Sequence, residues 1–488
     1  MNAQSMTNRA SSISASPVAA IAGFCLLPVA FLGPNVALVA YAALVLAVGM
    51  TLLMRPAGPP MPMFIFLYQW LQAALGPIYG NIFGIEINDL AQNLGEHAVA
   101  CFLELSGVMF LALGMRVAIG RRGIVLTQQM VAFVGSRSVG FWFRIYLGAS
   151  IFGALCATFA YSAGGLTQPL LSLAQIKWAG FVLLTFATFA IPGRSKALWI
   201  AVAIFEFGLS IGGFFSSFKD IFFYSIIGIL GSGIKLRPMT VAVMGFFGSI
   251  LLALGVIWTS VKIDYRDFSN GGSGQQAVNA SYSERIAYLG QLVGSLDRPT
   301  LADGVDTLAH RVMYFEFFGA ALGNVPLNVP HTDGALWGRA ILTSFMPRLI
   351  FTDKAAVHDS ELTREYTGIR VTSYEQGTSI SMGYMAEAYI DFGRVFMMAP
   401  IFLLGYGLGS IHRWLLTRPG RDGVLGAAMS TFTLMQANAV ETSGLKLIPA
   451  VLLCVVACLI VFKFIAPLIW GVERVQMRAK PKPRLREA

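Results

Sequence analysis

Charge is scarce in this chain. Of its 488 residues, 12% are Asp, Glu, Lys or Arg and 56% are hydrophobic, and a mean hydropathy of +0.67 excludes an ordinary soluble domain. Cysteine is sparse as well: Cys25, Cys101, Cys156, Cys454 and Cys458 all lie in apolar segments, so no disulfide framework or zinc cluster is expected. The sequence holds no Walker loop, no dinucleotide fingerprint and no nucleophile elbow, and its five histidines show no metal-ligand spacing. No internal repeat recurs at a period of roughly 20 to 50 residues. These absences leave no cofactor, no resident metal and no nucleic-acid partner to expect. The first 16 residues carry one charged side chain, Arg9, and no small-residue cleavage pattern follows the next hydrophobic run. That predicts an uncleaved first helix and not a removed signal peptide.

Apolar runs are what the chain has in abundance. Hydrocarbon about 30 Å thick asks for roughly 20 apolar residues per spanning helix. Twelve segments approach that length: 18–32, 35–54, 61–79, 96–118, 140–162, 178–192, 196–213, 217–232, 238–260, 393–412, 422–438 and 446–469. The expected fold is an all-α integral membrane protein of about twelve transmembrane helices. It divides into a nine-helix bundle over 1–260, a polar insertion over 261–378, and three last helices with a basic tail over 379–488.

The formal charge is +10, yet the insertion holds ten Lys and Arg against thirteen Asp and Glu. The basic excess therefore sits in short loops and in the tail from Arg474 to Arg486. If the helices alternate, one side collects Arg55, Arg116, Arg121, Arg122, Arg137, Arg194, Lys196, Lys235, Arg237, Arg413, Arg418 and Arg421. The positive-inside rule makes that side and both termini cytoplasmic, and puts the insertion outside. Within the insertion a Gly/Ser/Asn-rich tract, Ser269 to Ser281, reads as a flexible exit from the ninth helix. Beyond it, Ile286, Leu289, Leu292, Val293 and Leu296 recur at helical spacing, as do Leu308, Val312, Phe315 and Gly319, and Trp337, Ala340, Ile341 and Phe345. Amphipathic helices on the membrane surface or capping the bundle are expected.

Four groups bear chemistry. The turn before the eighth helix offers Ser216, Ser217 and Lys219, where an ammonium and two hydroxyls suit a phosphate oxygen; the alternative is a snorkelling lysine beside Asp220. Arg311 follows His310 and has no acidic residue three or four positions away, so it points to the bundle, stands solvated or pairs with an acid elsewhere in the fold. Pro347 predicts a helix end that leaves Arg348 and Lys354 just beyond it; a guanidinium fork binds diphosphate oxygens bidentately, and ordinary solvated charges are the alternative. The fourth group runs from Thr378 through Ser379, Ser381, Gly383, Tyr384, Glu387, Tyr389 and Asp391 to Gly393. In it, Glu387 in apolar company suits proton transfer or partners an arginine. Glu104 and Glu206 lie inside apolar spans, where a carboxylate is expensive, and are candidates for function or for polar packing between helices.

The third and fourth groups together resemble the bacterial O-antigen and exopolysaccharide repeat-unit polymerases. Those proteins are multi-pass with a large outer loop, and often show Pro-Arg-x-x-aromatic-x-x-Lys followed by Ser-x-x-x-Gly-x-x-x-Glu-x-Tyr-x-x-Phe-Gly. Pro347, Arg348, Phe351 and Lys354 fill the first stretch; Ser379, Gly383, Glu387, Tyr389, Phe392 and Gly393 fill the second. The chain departs from the pattern at Thr352, Ala355 and Phe396, and at Lys219, where arginine is common. The resemblance implies a GT-C-like glycosyltransferase of the bacterial inner membrane that joins repeat units carried on undecaprenyl diphosphate. Arg311, Arg348 and Lys219 would then offset the charge of the leaving diphosphate without a metal. Glu387 would orient or deprotonate the acceptor hydroxyl, with Ser216, Ser217, Lys354, Tyr384 and Tyr389 binding substrate. Its partners would be the lipid-linked oligosaccharide, the bilayer, and the chain-length regulator and flippase proteins. Two other readings stay open: an O-antigen ligase delivering finished polymer to the lipid A core, and a secondary transporter or flippase, which twelve helices with Glu104 and Glu206 would also suit.

Overall fold

The computed structural model describes residues 15–54, 60–120, 128–160, 162–211, 217–233, 238–272, 278–346, 358–371, 379–418 and 421–470, and among these every regular element is helical. The N-terminal part runs α1 (Ala15–Ala30), α2 (Val36–Leu53), α3 (Met61–Phe83), α4 (Ile87–Leu90), α5 (His97–Ile119), α6 (Gln128–Ser136) and α7 (Val139–Ala160). It continues through α8 (Thr167–Ala174), α9 (Ile176–Phe189), α10 (Ala197–Ile211), α11 (Lys219–Gly231) and α12 (Pro238–Asn270). The polar stretch holds α13 (Tyr282–Gly294), α14 (Arg298–Val312), α15 (Phe315–Asn324), α16 (Ala335–Ser344) and α17 (Asp359–Thr367). After it come α18 (Tyr384–Phe396), α19 (Met398–Leu416), α20 (Arg421–Leu434), α21 (Gly444–Ile460) and α22 (Ala466–Trp470), the last two joined by a π turn.

Among the described residues six helical stretches are long and apolar enough to cross a membrane: Val36–Leu53, His97–Ile119, Val139–Ala160, Thr167–Phe189, Gly245–Asn270 and Gly444–Trp470. A seventh exists if α18 and α19, bent by 118° at their junction, count as one span. A helix occupies each of the twelve expected apolar segments, but several are short; α10 has 15 residues and α11 has 13. The bend follows from Gly393, whose φ of 72° lies in the left-handed region that a residue with a Cβ avoids.

Two boundaries differ from the sequence reading. α12 does not end near residue 260 but runs to Asn270, and its 33 residues make a rod about 50 Å long at 1.5 Å per residue. Lys262 and Arg266 lower hydropathy without lowering helix propensity much, so the helix continues past the apolar run. The helical spacing read from Leu308 to Gly319 is also interrupted, since α14 stops at Val312 and α15 restarts at Phe315. Tertiary contacts explain the break: the Tyr314 hydroxyl donates to the Ser381 carbonyl, and Phe315 is fully buried.

The largest core joins α2, α3, α5, α15, α18 and α19 through side chains such as Phe66, Phe318, Tyr384 and Tyr389. A second joins α7, α9, α20 and α21 through Trp142, Phe181, Phe432 and Cys458. A third and smaller one, Phe218, Trp258, Val261 and Tyr265, is covered by Leu289 and Leu292 of α13 and by Leu296. The apolar stripe read on α13 thus packs back onto α11 and α12.

Candidate functional site

Polar side chains gather where α3, α17, α18 and the 435–446 segment meet. Gln69 and Gln72, one turn apart on α3, hold the neighbouring backbone. Gln69 Nε2 donates to the Ala437 carbonyl (2.9 Å) and its Oε1 accepts from the Tyr384 hydroxyl (2.7 Å). Gln72 Oε1 accepts from the Val440 N–H (3.0 Å) and its Nε2 donates to Glu441 Oε2 (2.7 Å). The segment before α18 passes so close to the 440 backbone that a Cβ on Gly383, at φ 87°, would lie 2.4 Å from the Val440 carbonyl oxygen. Only glycine fits both the space and the dihedral.

Glu387 is buried one turn into α18. Its Oε2 accepts the Gly444 N–H at 2.7 Å, so this carboxylate fills the place of an N-cap for α21. Beside it Lys446 Nζ lies 2.6 Å from Asp359 Oδ2 and donates to Ser379 Oγ at 2.9 Å. Among the described residues, Asp359 and Lys446 are the charged groups felt at Glu387 together with Asp391, and no arginine is among them. Tyr314 closes the group, its hydroxyl on the Ser381 carbonyl. Burial, with the carboxylates of Glu441, Asp359 and Glu104 around it, pushes this phenol up, which keeps it a donor. The Lys219 ammonium lies at the Tyr68 hydroxyl, with Glu441 and Asp220 near the same ring.

Arg311 belongs to a second group. It is exposed near the end of α14, and the charges that act on Lys262 are Arg311 and Arg266, while Arg311 also acts on Arg266. Lys262 and Arg266 stand one turn apart on the part of α12 that the sequence reading had left outside the helix. Neither Arg311 nor Lys262 has an acidic partner among the described residues. These three cations act on one another electrostatically where α12 and α14 pack, and Tyr314, three residues after Arg311, hydrogen-bonds the Ser381 carbonyl just before α18.

The remaining expected site residues divide as follows. Tyr384 and Tyr389 are buried with their hydroxyls committed, the first to Gln69 and the second to the Val325 carbonyl at 2.5 Å. Ser217 lines a groove of about 750 Å³ whose walls include Tyr146, Lys177, Trp178, Glu206 and Asp220. There Glu206 accepts from the Tyr146 hydroxyl (2.5 Å) and from Lys177 Nζ (2.9 Å). Glu104 Oε2 is buried without a hydrogen-bond partner among the described residues. Ser216, Arg348 and Lys354 lie outside the described residues, as do Pro347, Phe351 and Thr352. Among the described residues no group of three or more His, Cys, Asp or Glu is placed to hold a metal ion.

Sequence reasoning passed over Gln69, Gln72, Asp359, Glu441, Lys262, Arg266 and Lys446. The one available signal was the Glu441 to Lys446 stretch, a polar interruption between two apolar segments. Comparison with protein-family models, with curated proteins and with solved structures returns no match to the chain.

Proposed function

We propose that this chain is a membrane glycosyltransferase of about twelve spans that polymerises oligosaccharide repeat units carried on undecaprenyl diphosphate. The observation that carries the reading is the grouping of Arg311, Lys262 and Arg266 where α12 and α14 pack, with Tyr314, three residues on, hydrogen-bonded to the segment that leads into α18 and Glu387. A lipid diphosphate leaving group develops charge that fixed cations stabilise, and guanidinium forks match its oxygens. In the proposed step an acceptor hydroxyl oxygen attacks the anomeric carbon of the growing chain. The bond from that carbon to the diphosphate oxygen breaks, the electron pair leaves with the lipid diphosphate, and the hydroxyl proton passes to Glu387. Lys219 and Arg348 are proposed to bind phosphate oxygens as well, and the insertion to face the extracytoplasmic side of the inner membrane.

The transporter reading draws on one specific observation, the Tyr146, Glu206 and Lys177 group in an open intramembrane groove, since ionisable groups at such depth mark transport paths. Deleting the gene and comparing lipid-linked glycans by gel and mass spectrometry separates the readings. Single repeat units stranded on the carrier lipid are expected. Full-length polymer stranded there would make the chain a ligase, and an unchanged profile would leave transport of another solute. In complementation, Arg311→Ala should leave single units unpolymerised; normal polymer from that variant removes the catalytic assignment.

A further inference from the structure

Where α18 gives way to α19, a groove of about 960 Å³ runs between α19 and α5. The two helices run in the same direction, since a Cβ on Gly405 would strike the Leu111 carbonyl and one on Gly409 the Met115 carbonyl. One wall extends from Val99 to Phe110 on α5, the other from Val395 across the bend to Leu403 on α19. Phe102, Val395, Phe396 and Leu403 stay exposed along it. Among the described residues Ser106 and Arg394 are its polar lining side chains. The Ser106 hydroxyl is already committed, lying 2.9 Å from the Tyr41 hydroxyl and donating to the Phe102 carbonyl (2.8 Å). Below Arg394 the groove therefore offers hydrocarbon contacts.

α5 is long and apolar enough to cross a membrane. From Val99 to Phe110 the groove extends about 17 Å at 1.5 Å per residue, close to one leaflet, or half of the roughly 30 Å of hydrocarbon. Its end is marked by Arg394, paired with Glu96, the residue just before the first turn of α5. The Arg394 Nη2 alone bonds both Glu96 carboxylate oxygens, each at 2.7 Å, so the two groups do not meet fork to fork. Arg394 keeps 49% of its side chain accessible and Glu96 keeps 41%, and the Glu96 side chain makes no capping bond to α5. A cation and an anion thus stand side by side, both accessible, at the end of an apolar slot one leaflet long.

That pairing discriminates among lipids. A guanidinium takes phosphate oxygens, and a carboxylate takes an ammonium that brings three N–H donors. A phosphoethanolamine head group carries both charges, joined by a short ethylene link. The nitrogen of phosphatidylcholine has no N–H to give, phosphatidylglycerol has no cation, and a lipid diphosphate meets Glu96 with negative charge alone. We infer that the groove between α5 and α19 binds one phosphatidylethanolamine molecule, with an acyl chain along Val99 to Phe110, its phosphate on Arg394 and its ammonium on Glu96. Arg394 directly follows Gly393, so the bound lipid braces the bend between α18 and α19. The inference does not rest on the polymerase reading.

The test places the full chain in nanodiscs that hold equal mole fractions of undecaprenyl phosphate and of phosphatidylethanolamine, phosphatidylglycerol and phosphatidylcholine with matched acyl chains. Native mass spectrometry then reads which lipid stays on the protein after mild detergent release. Phosphatidylethanolamine should be retained over each of the others by about fivefold, a modest factor because half-exposed ion pairs are weak. Arg394→Gln should lose that retention. Glu96→Gln should still hold phospholipid but no longer distinguish phosphatidylethanolamine from phosphatidylcholine. Ala399→Trp, which fills the groove and leaves the charged pair intact, should lose retention as well. Equal retention of the four lipids by the unaltered chain overturns the inference whatever becomes of the variants, as does phosphatidylcholine held as well as phosphatidylethanolamine. Preference for phosphatidylglycerol or for undecaprenyl phosphate also overturns it, the latter by making the groove part of the carrier-lipid path. So does a phosphatidylethanolamine preference that survives both Arg394→Gln and Glu96→Gln.

Discussion

A side chain at Gly444 would push the Glu387 carboxylate aside. A Cβ there would lie 2.9 Å from Glu387 Oε2, and the Gly444 N–H is the hydrogen bond that aims the carboxylate. Gly444→Ala should therefore lower polymer synthesis in isolated membranes in the same direction as Glu387→Gln. Hydrogen bonds to a charged group contribute about 1.5–3 kcal/mol, so a loss of roughly tenfold to a hundredfold is expected. Wild-type rates in both variants would remove Glu387 from the chemistry. Arg311 and Glu387 were legible in the sequence because each is a charge without a local partner. Asp359, Glu441 and Lys446 were not, because they stand more than 80 residues apart in the chain or in a short connection, and spacing says nothing about contacts made through the fold. Lys262 and Arg266 were hidden differently: charge was read as the end of α12, whereas it marks the turn of that helix that faces α14.

Elements carry the site by capping one another. Thr332 Oγ1 donates to Asp391 Oδ1 at 2.5 Å, and two backbone N–H groups of the first turn of α16 bind the same carboxylate. Losing such a cap costs about 0.5–2 kcal/mol. Asp391→Ala should lower the thermal midpoint in detergent by a few degrees and loosen Trp337 with it, visible as increased proteolysis near residue 335. An unchanged midpoint would mean that α16 is held by its apolar face alone. Between α9 and α10 the Lys177–Glu206 pair allows a sharper measurement. Removing one partner of a buried pair costs about 3–5 kcal/mol, whereas replacing both with apolar groups is close to neutral. Since Lys177 keeps 31% of its side chain exposed, the single replacement Lys177→Met should fall toward the low end. The double replacement Lys177→Met with Glu206→Leu should recover most of the loss if the pair is structural. If it recovers stability but a transport activity disappears, the groove has a function of its own. The positions of these helices were readable from apolar runs, which depend on composition alone. The break between α14 and α15 was not, since Tyr314 and Phe315 are drawn out of register by partners on the 379–383 segment and α3.

For the whole molecule the governing asymmetry is electrostatic. Short loops and the tail carry the basic excess while the 261–378 stretch is net acidic, and such asymmetry sets the orientation of membrane proteins during insertion. On the topology proposed from that asymmetry, α13 to α17, the Glu387 group and the cation cluster would share one side of the bilayer, opposite Arg194 and Arg413. Arg194 supports the assignment of its own loop, since its guanidinium donates to the carbonyls of Ala187 (2.8 Å) and Arg137 (2.8 Å) and so ties two loops of the basic face together. Orientation can be read by thiol chemistry, because the natural cysteines can be replaced by serine and single ones introduced. Ser281→Cys, beside the exposed start of α13, should react with a membrane-impermeant maleimide in intact cells stripped of their outer membrane. Ser195→Cys, in the loop before α10, should react only after the cells are opened. The reverse pattern would put the acidic stretch in the cytoplasm, where no polymer of lipid-exported repeat units is assembled, and would remove the glycosyltransferase reading together with the topology.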